Sequence, residues 1–211
     1  MRAAIDLGAG GVLATWAVLL LLWAAPAALL LQSATGRQAL VDERVRVVEA
    51  LGGTVDDATY AALQARPPYW IYVASGGRTL LLPVVTLAVA AGLALWPGRG
   101  RGFMAALSVA VHASTVLVLQ QLVATPLHLV RESLTSPFNL AAVLPFFDEG
   151  SLPARVFGTV ELFGLWWVLL LAVGAGVLAE RRARDFVLPL VGVYVGIAAA
   201  VAVAVAMGGG S

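Results

Sequence analysis

The sequence predicts an all-α protein, a polytopic membrane helix bundle with five transmembrane helices and a helical-hairpin loop after the first. Three observations lead there. The 211 residues are 61% hydrophobic and 12% charged, where a soluble domain has about one half and one quarter. The apolar residues gather into long runs, each near the ~20 residues that a bilayer crossing needs. The polar residues fall between these runs, in one sizeable loop and in short turns. A chain of this length holds one membrane domain, residues 1–207, and residues 208–211 (GGGS) read as a tail or linker.

Charge and composition exclude several functions. The formal net charge is +1, and every one of the 13 basic residues is Arg. Nucleic acid would need a clustered basic face, so it is not expected as a partner. The absence of Cys removes disulfides, thiolate metal sites and Cys nucleophiles together.

The first span is expected at residues 11–31. Its apolar run is too long for the core of a cleaved signal, so it reads as an anchor, with Pro26 bending its last turns. Residues 32–68 form the extramembrane loop. Apolar positions Val41, Val45 and Val48 recur at helical spacing over residues 38–51, and Asp42 and Arg46 can pair along that helix. Gly52-Gly53 supplies a stop. Thr54 with Asp57 resembles a capping box for a second short helix, which Pro67-Pro68 ends. Tyr69, Trp70 and Tyr72 then read as an interfacial aromatic belt.

The second span is expected at about 79–96, followed by the basic turn PGRGRG. The third, at about 103–124, carries the most polar groups at depth, and a bilayer penalises these unless another helix partners them. It is therefore expected to pack inside the bundle. Residues 127–155 carry Pro137, Pro145 and Pro153 as well as charges, so they read as a partly re-entrant or surface-lying loop. The fourth span is expected at about 156–179 and the fifth at 186–207, joined by the turn ERRARD. Both short turns are rich in Arg, which places them in the cytoplasm and, with five spans, puts the N-terminus inside and the C-terminus outside.

The candidate polar site follows from depth. Ser108, His112 and Thr115 share one face of the third span, and Gln120 and Gln121 sit in its outer half. An intramembrane His relays protons, binds metal or senses pH; alternatively it fixes packing by hydrogen bonding across helices. Glu161, in the fourth span, needs a partner at that depth: His112 would make a proton site, whereas Arg155 would make an interfacial anchor. Sixteen residues and a proline separate His112 from His128, which is no metal-ligand spacing, so no metal site is expected. No phosphate-loop, zincin or nucleophile-elbow motif occurs, and neither a cofactor nor a catalytic set is expected. Gly192-x-x-x-Gly196, Gly174 and Gly176 read as points of close helix packing, or as a dimer face.

The later half carries a resemblance. TSPFNLAAVLPFF followed by ELFGLWWVLLLAVGAGVL resembles bacterial members of the Yip family, the membrane proteins with a Ypt-interacting (Yip-one) domain. Glu161, Leu162, Phe163 and Trp166 match the family's acidic–aliphatic–Phe opening with its following Trp, and the AVHAS segment places His112. Glu161 departs mildly from a position that is often Asp. The resemblance implies five spans, a cytosolic N-terminus and no enzymatic residues. Small-GTPase binding does not carry over, because only about ten residues precede the first span and no D-L-Y-G-P-type segment is present. The expectation is a non-enzymatic, membrane-organising scaffold of the bacterial inner membrane, with the lipid bilayer, membrane proteins or its own copies as partners. The alternative is a small permease or proton-translocating subunit that uses His112 and Glu161.

Overall fold

The computed structural model describes residues 8–50, 52–66, 69, 73, 80–95, 102–131, 136–143 and 151–208. These are helical almost throughout and contain no strand, only an isolated antiparallel bridge between Asn139 and Glu161. In chain order the helices are α1 (Ala9–Gln32), α2 (Ala34–Ala50), α3 (Asp57–Ala65), α4 (Leu81–Leu95), α5 (Phe103–Arg131), α6 (Leu140–Val143), α7 (Leu152–Thr159), α8 (Leu162–Ala179) and α9 (Arg184–Gly208).

Four of them, α1, α5, α8 and α9, are long and apolar enough to cross a membrane. Helix α4 is an apolar helix of 15 residues, about 22 Å of rise, short of a hydrocarbon layer about 30 Å thick. Trp96 and the PGRGR part of the turn after it lie outside the described residues, as do Thr79, Trp70 and Tyr72.

Helix α5 is the axis of the bundle. More than half of its apolar stretch, 56%, is buried, against 17% for α1 and for α9. It packs on α1, α4 and α8, and α9 packs in turn on α8 and α7. One core joins Val12 and Leu19 of α1, Leu82 and Ala90 of α4, and Leu107, Ala110, Val111 and Val118 of α5. A second joins Ala105, Ala106, Val109 and Ala113 of α5 to Leu171 and Leu178 of α8. In lipid the helices gain little from the hydrophobic effect, so close approach decides which faces meet, and the alanines of α5 permit it. Thr86 and Ser114, both fully buried, bring their hydroxyls within 3.2 Å between α4 and α5, where one shares the proton that it also gives to its own helix carbonyl.

Several expectations are corrected here. Helix α5 does not stop near Pro126 but runs through it to Arg131. The proline removes the backbone donor that the Leu122 carbonyl would otherwise take, while the Thr125 hydroxyl beside it bonds the Gln121 carbonyl at 2.7 Å. The fourth span is not one helix from residue 156: α7 ends at Thr159, Val160 and Glu161 are extended, and α8 begins at Leu162. The cap of α3 is Asp56 rather than Thr54. Its carboxylate accepts the Thr59 N–H at 2.8 Å, three residues on, where an N-cap must sit, and its charge suits the positive helix end. Gly192 and Gly196 do not mark close packing within the chain, since a Cβ added at either would meet open space.

The hairpin of α2 and α3 turns at Gly52, which takes the left-handed φ of 84° that glycine tolerates. The Gly53 N–H bonds the Val48 carbonyl at 2.9 Å and closes the helix end. Asp42 then ties the two helices together: it accepts the Tyr60 hydroxyl at 2.5 Å and the Gln38 amide at 3.0 Å. That bond holds the Tyr60 phenol above its ordinary pKa. Val41, beside Asp42, is buried, and α2 packs on α1, α5 and α9.

Candidate functional site

The break before α8 is where the chain concentrates its polar contacts. No glycine or proline stands at Val160-Glu161, so the sequence alone does not stop the helix there. The backbone is instead captured from outside. Leu140 donates to the Val160 carbonyl and Leu162 donates to the Phe138 carbonyl, each at 2.9 Å. These two bonds replace helical ones and make the Asn139–Glu161 bridge. The Phe138 ring meets Phe163 edge-on with centroids 5.2 Å apart, and Phe163 continues to Trp166 at 6.2 Å.

Glu161 occupies the joint. It is the N-cap of α8, but its side chain makes no cap bond. The carboxylate turns away, and its Oε2 accepts the Gln120 amide of α5 at 3.1 Å and the Ser136 hydroxyl at 2.8 Å. Its backbone N–H donates to the Tyr194 hydroxyl of α9 at 3.1 Å. One residue therefore connects α5, α8, α9 and the segment before α6. Gly164 makes the Tyr194 contact sterically possible, since a Cβ there would run into the phenol oxygen. On the other side of the break, the Thr159 hydroxyl reaches the Ala198 carbonyl of α9 at 3.2 Å.

Ser136 and Asn139 hold the capturing segment in shape. The Asn139 amide donates to the Ser136 carbonyl at 2.9 Å, and its oxygen accepts the Ala142 N–H at 2.8 Å, capping α6. Helix rise places Gln120 about 25 Å along α5 from Phe103, and Glu161 about 27 Å from the far end of α8. The joint thus sits near one edge of a hydrocarbon layer about 30 Å thick, beside α7.

The sequence-selected residues separate into two groups. Gln120 and Glu161 meet directly. Ser108, His112 and Thr115 lie elsewhere. His112 is eight residues from Gln120, about 12 Å along the helix, and the structure does not pair it with Glu161. Its Nδ1 bonds the Ser108 carbonyl of its own helix at 2.8 Å. Ser108 is buried, His112 half-buried and Thr115 exposed, so this face is not enclosed by the bundle. The reason is steric: the alanine-rich faces of α5 admit the neighbouring helices closest, and they take the contacts. Gln121 is half-buried and contributes its backbone carbonyl to Thr125. His128 lies in the last turn of α5. The Arg155 side chain lies outside the described ones. No group of three His, Asp or Glu side chains converges among the described residues.

Sequence reasoning missed Ser136, Asn139 and Tyr194. Ser136 and Asn139 flank Pro137-Phe138, a spacing at which Ser and Asn bond nearby backbone. Tyr194 is a lone hydroxyl in an otherwise apolar span, a signal of the same kind that singled out His112.

Fold and joint together define the class: an α-helical integral membrane protein in which one helix is interrupted and its break is held by a carboxylate. Compared with family models, with curated proteins and with solved structures, the chain matches none of them.

Proposed function

We propose that the protein is a non-enzymatic, membrane-organising scaffold of the Yip type, set in a bacterial cytoplasmic membrane. In this reading α4 is the remaining span, giving five crossings, with the N-terminus in the cytoplasm and the C-terminus outside. The observation that carries the reading is the engagement of Glu161. The carboxylate joins α5 to the segment before α6 through Gln120 and Ser136, while its own backbone is tied to α9. A carboxylate so engaged is a structural joint. The two stretches that carry the Yip resemblance, TSPFNL and ELFGLW, supply both sides of that joint, which gives their order in the sequence a physical reason.

A second reading keeps one specific support. An interrupted helix with a carboxylate at the break is a device that transporters use near their ion sites. Proteoliposomes loaded with a pH-sensitive dye separate the two. The scaffold reading expects no proton or cation flux from the intact protein, and variants His112→Ala and Glu161→Gln that differ only in stability. Flux in the intact protein that either variant abolishes, with the fold retained, replaces the scaffold with the permease.

A further inference from the structure

The stretch from Leu152 to Ala179 carries helix signals at its two ends and none of a stop in its middle. Ser151 caps the start by accepting the Ala154 N–H at 3.3 Å, and Pro153 stands in the first turn, where a helix tolerates it. At the far end Glu180 takes the left-handed φ of 55°, and the Arg181 N–H returns to the Gly176 carbonyl at 2.9 Å, which closes a helix. Between Gly158 and Gly164 the sequence reads TVELF, without Gly or Pro. Glu161 stands at the N-cap of α8 and gives it no side-chain cap. These are the signals of one helix, yet the chain forms two, α7 and α8, parted at Val160-Glu161.

Residues 136–143 do the parting. The Leu140 N–H takes the Val160 carbonyl, which a continuous helix would give to the Gly164 N–H. The Phe138 carbonyl takes the Leu162 N–H, which a continuous helix would give to the Gly158 carbonyl. Ser136 adds its hydroxyl to the Glu161 carboxylate, and the Phe138 ring adds its edge to Phe163. All four contacts come from one short segment, and Asn139 shapes that segment internally through the Ser136 carbonyl and the Ala142 N–H. It can therefore dock and leave as a unit. The exchange trades two helical backbone bonds for two bridging ones, so both arrangements satisfy these groups.

We propose that residues 136–143 are a strap that switches α7 and α8 between a broken and a continuous helix. Docked, the strap holds Val160 and Glu161 extended. Lifted, it returns the Val160 carbonyl and the Leu162 N–H to helical partners, and the two residues become helical. Each then rises about 1.5 Å where it had risen about 3.3 Å, so α7 is drawn about 3.6 Å toward α8 and turned about its axis. The turn takes the Thr159 hydroxyl off the Ala198 carbonyl and the Glu161 N–H off the Tyr194 hydroxyl, so α7 shifts on α9. The switch needs no assumption about flux and none about the wider role of the protein.

The Cα chemical shifts of Val160 and Glu161, in labelled full-length protein in nanodiscs, read the switch directly. Both are expected on the extended side in the unmodified protein. Leu140 is the first residue of α6, where proline is tolerated, so Leu140→Pro removes the N–H that captures Val160 and keeps the helix start. Combined with Ser136→Ala, it should move both shifts to the helical side while those of α5 stay in place. A second variant, with residues 136–140 replaced by Gly and Ser, should do the same. Asn139 and Glu161 face each other in a bridge whose bonds lie on either side of the pair, about 4.5 Å between Cα atoms, which suits a disulfide. The chain has no Cys, so Asn139→Cys with Glu161→Cys locks the strap alone. Val160 should be extended in the oxidised form and move toward helix on reduction. Extended shifts that persist in the Gly and Ser variant overturn the proposal. So does a helical Val160 in the oxidised pair, or a pair that does not oxidise.

Discussion

Replacing Glu161 by Ala and by Gln discriminates a joint from an incidental contact. Both donors reach the same carboxylate oxygen, Ser136 at 2.8 Å and Gln120 at 3.1 Å. Glu161→Ala removes the acceptor and leaves two half-buried donors without it. Each such loss costs at least about 1 kcal/mol, so the variant should lose about 2–3 kcal/mol. Glu161→Gln keeps a carbonyl oxygen with two lone pairs in the same place, so its loss should stay below about 1 kcal/mol. Unfolding in mixed micelles, followed by Trp fluorescence against the fraction of denaturing detergent, measures the difference. Gln120→Leu should cost about 1 kcal/mol while residue 161 keeps its acceptor and little once Glu161→Ala has removed it, a coupling of about 1 kcal/mol. Equal losses for Ala and Gln would refute the reasoning, because the side chain's length and packing, not its acceptor, would then matter.

Other consequences follow from the same contacts. Gly164→Ala drives a Cβ into the Tyr194 phenol, which should cost about 1–3 kcal/mol, and adding Tyr194→Phe should recover part of that loss in the same unfolding assay. Ser114→Ala breaks the bond to Thr86 for about 0.6 kcal/mol, the membrane average, because the Thr86 hydroxyl keeps its own helix carbonyl at 2.7 Å. Asp56 is held below its ordinary value of 3.8 by hydrogen bonding from Thr59, first from its side chain and then from its backbone N–H, so its support of α3 is complete above that value and is lost as pH falls through the lower folded-state pKa. The Thr59 amide shift, followed by NMR through that range, checks it. Tyr60 is raised above 10.0 by its bond to Asp42. Its contribution to the hairpin is therefore complete below 10.0 and is lost as pH rises through the raised value, which Tyr absorbance should track and Tyr60→Phe should abolish.

The importance of α5 was legible because polar residues at depth are rare in an apolar chain. The direction of its polar face was not. Reasoning from the cost of polar groups in lipid turns Ser108, His112 and Thr115 inward; Ser108 is indeed buried, but His112 is half-buried and Thr115 exposed. Packing answers to a different demand, and contact goes to the faces where Ala105, Ala106 and Ala113 let a neighbour approach. The joint at Glu161 shows a different limit. Its residues are conspicuous one by one, but the break depends on Phe138 and Leu140, well before it in the chain, supplying the backbone partners that the helix gives up. Local propensity over Val160-Glu161 contains no trace of that event.

The two polar places on α5 now bear on function through their separation. A proton path would join them, and of the residues between His112 and Gln120 only Ser114 and Thr115 are polar: Ser114 is buried beside Thr86, and Thr115 is exposed. Gln120 reaches Glu161, whereas His112 is half-buried and bonds the Ser108 carbonyl of its own helix. The His112→Ala and Glu161→Ala losses, both read in the unfolding assay, should accordingly be independent. Combining the two substitutions should give additive losses, since the sites share no contact. Strong coupling between them would mean that the open face and the joint move together, which is the behaviour of a gate and not of a scaffold.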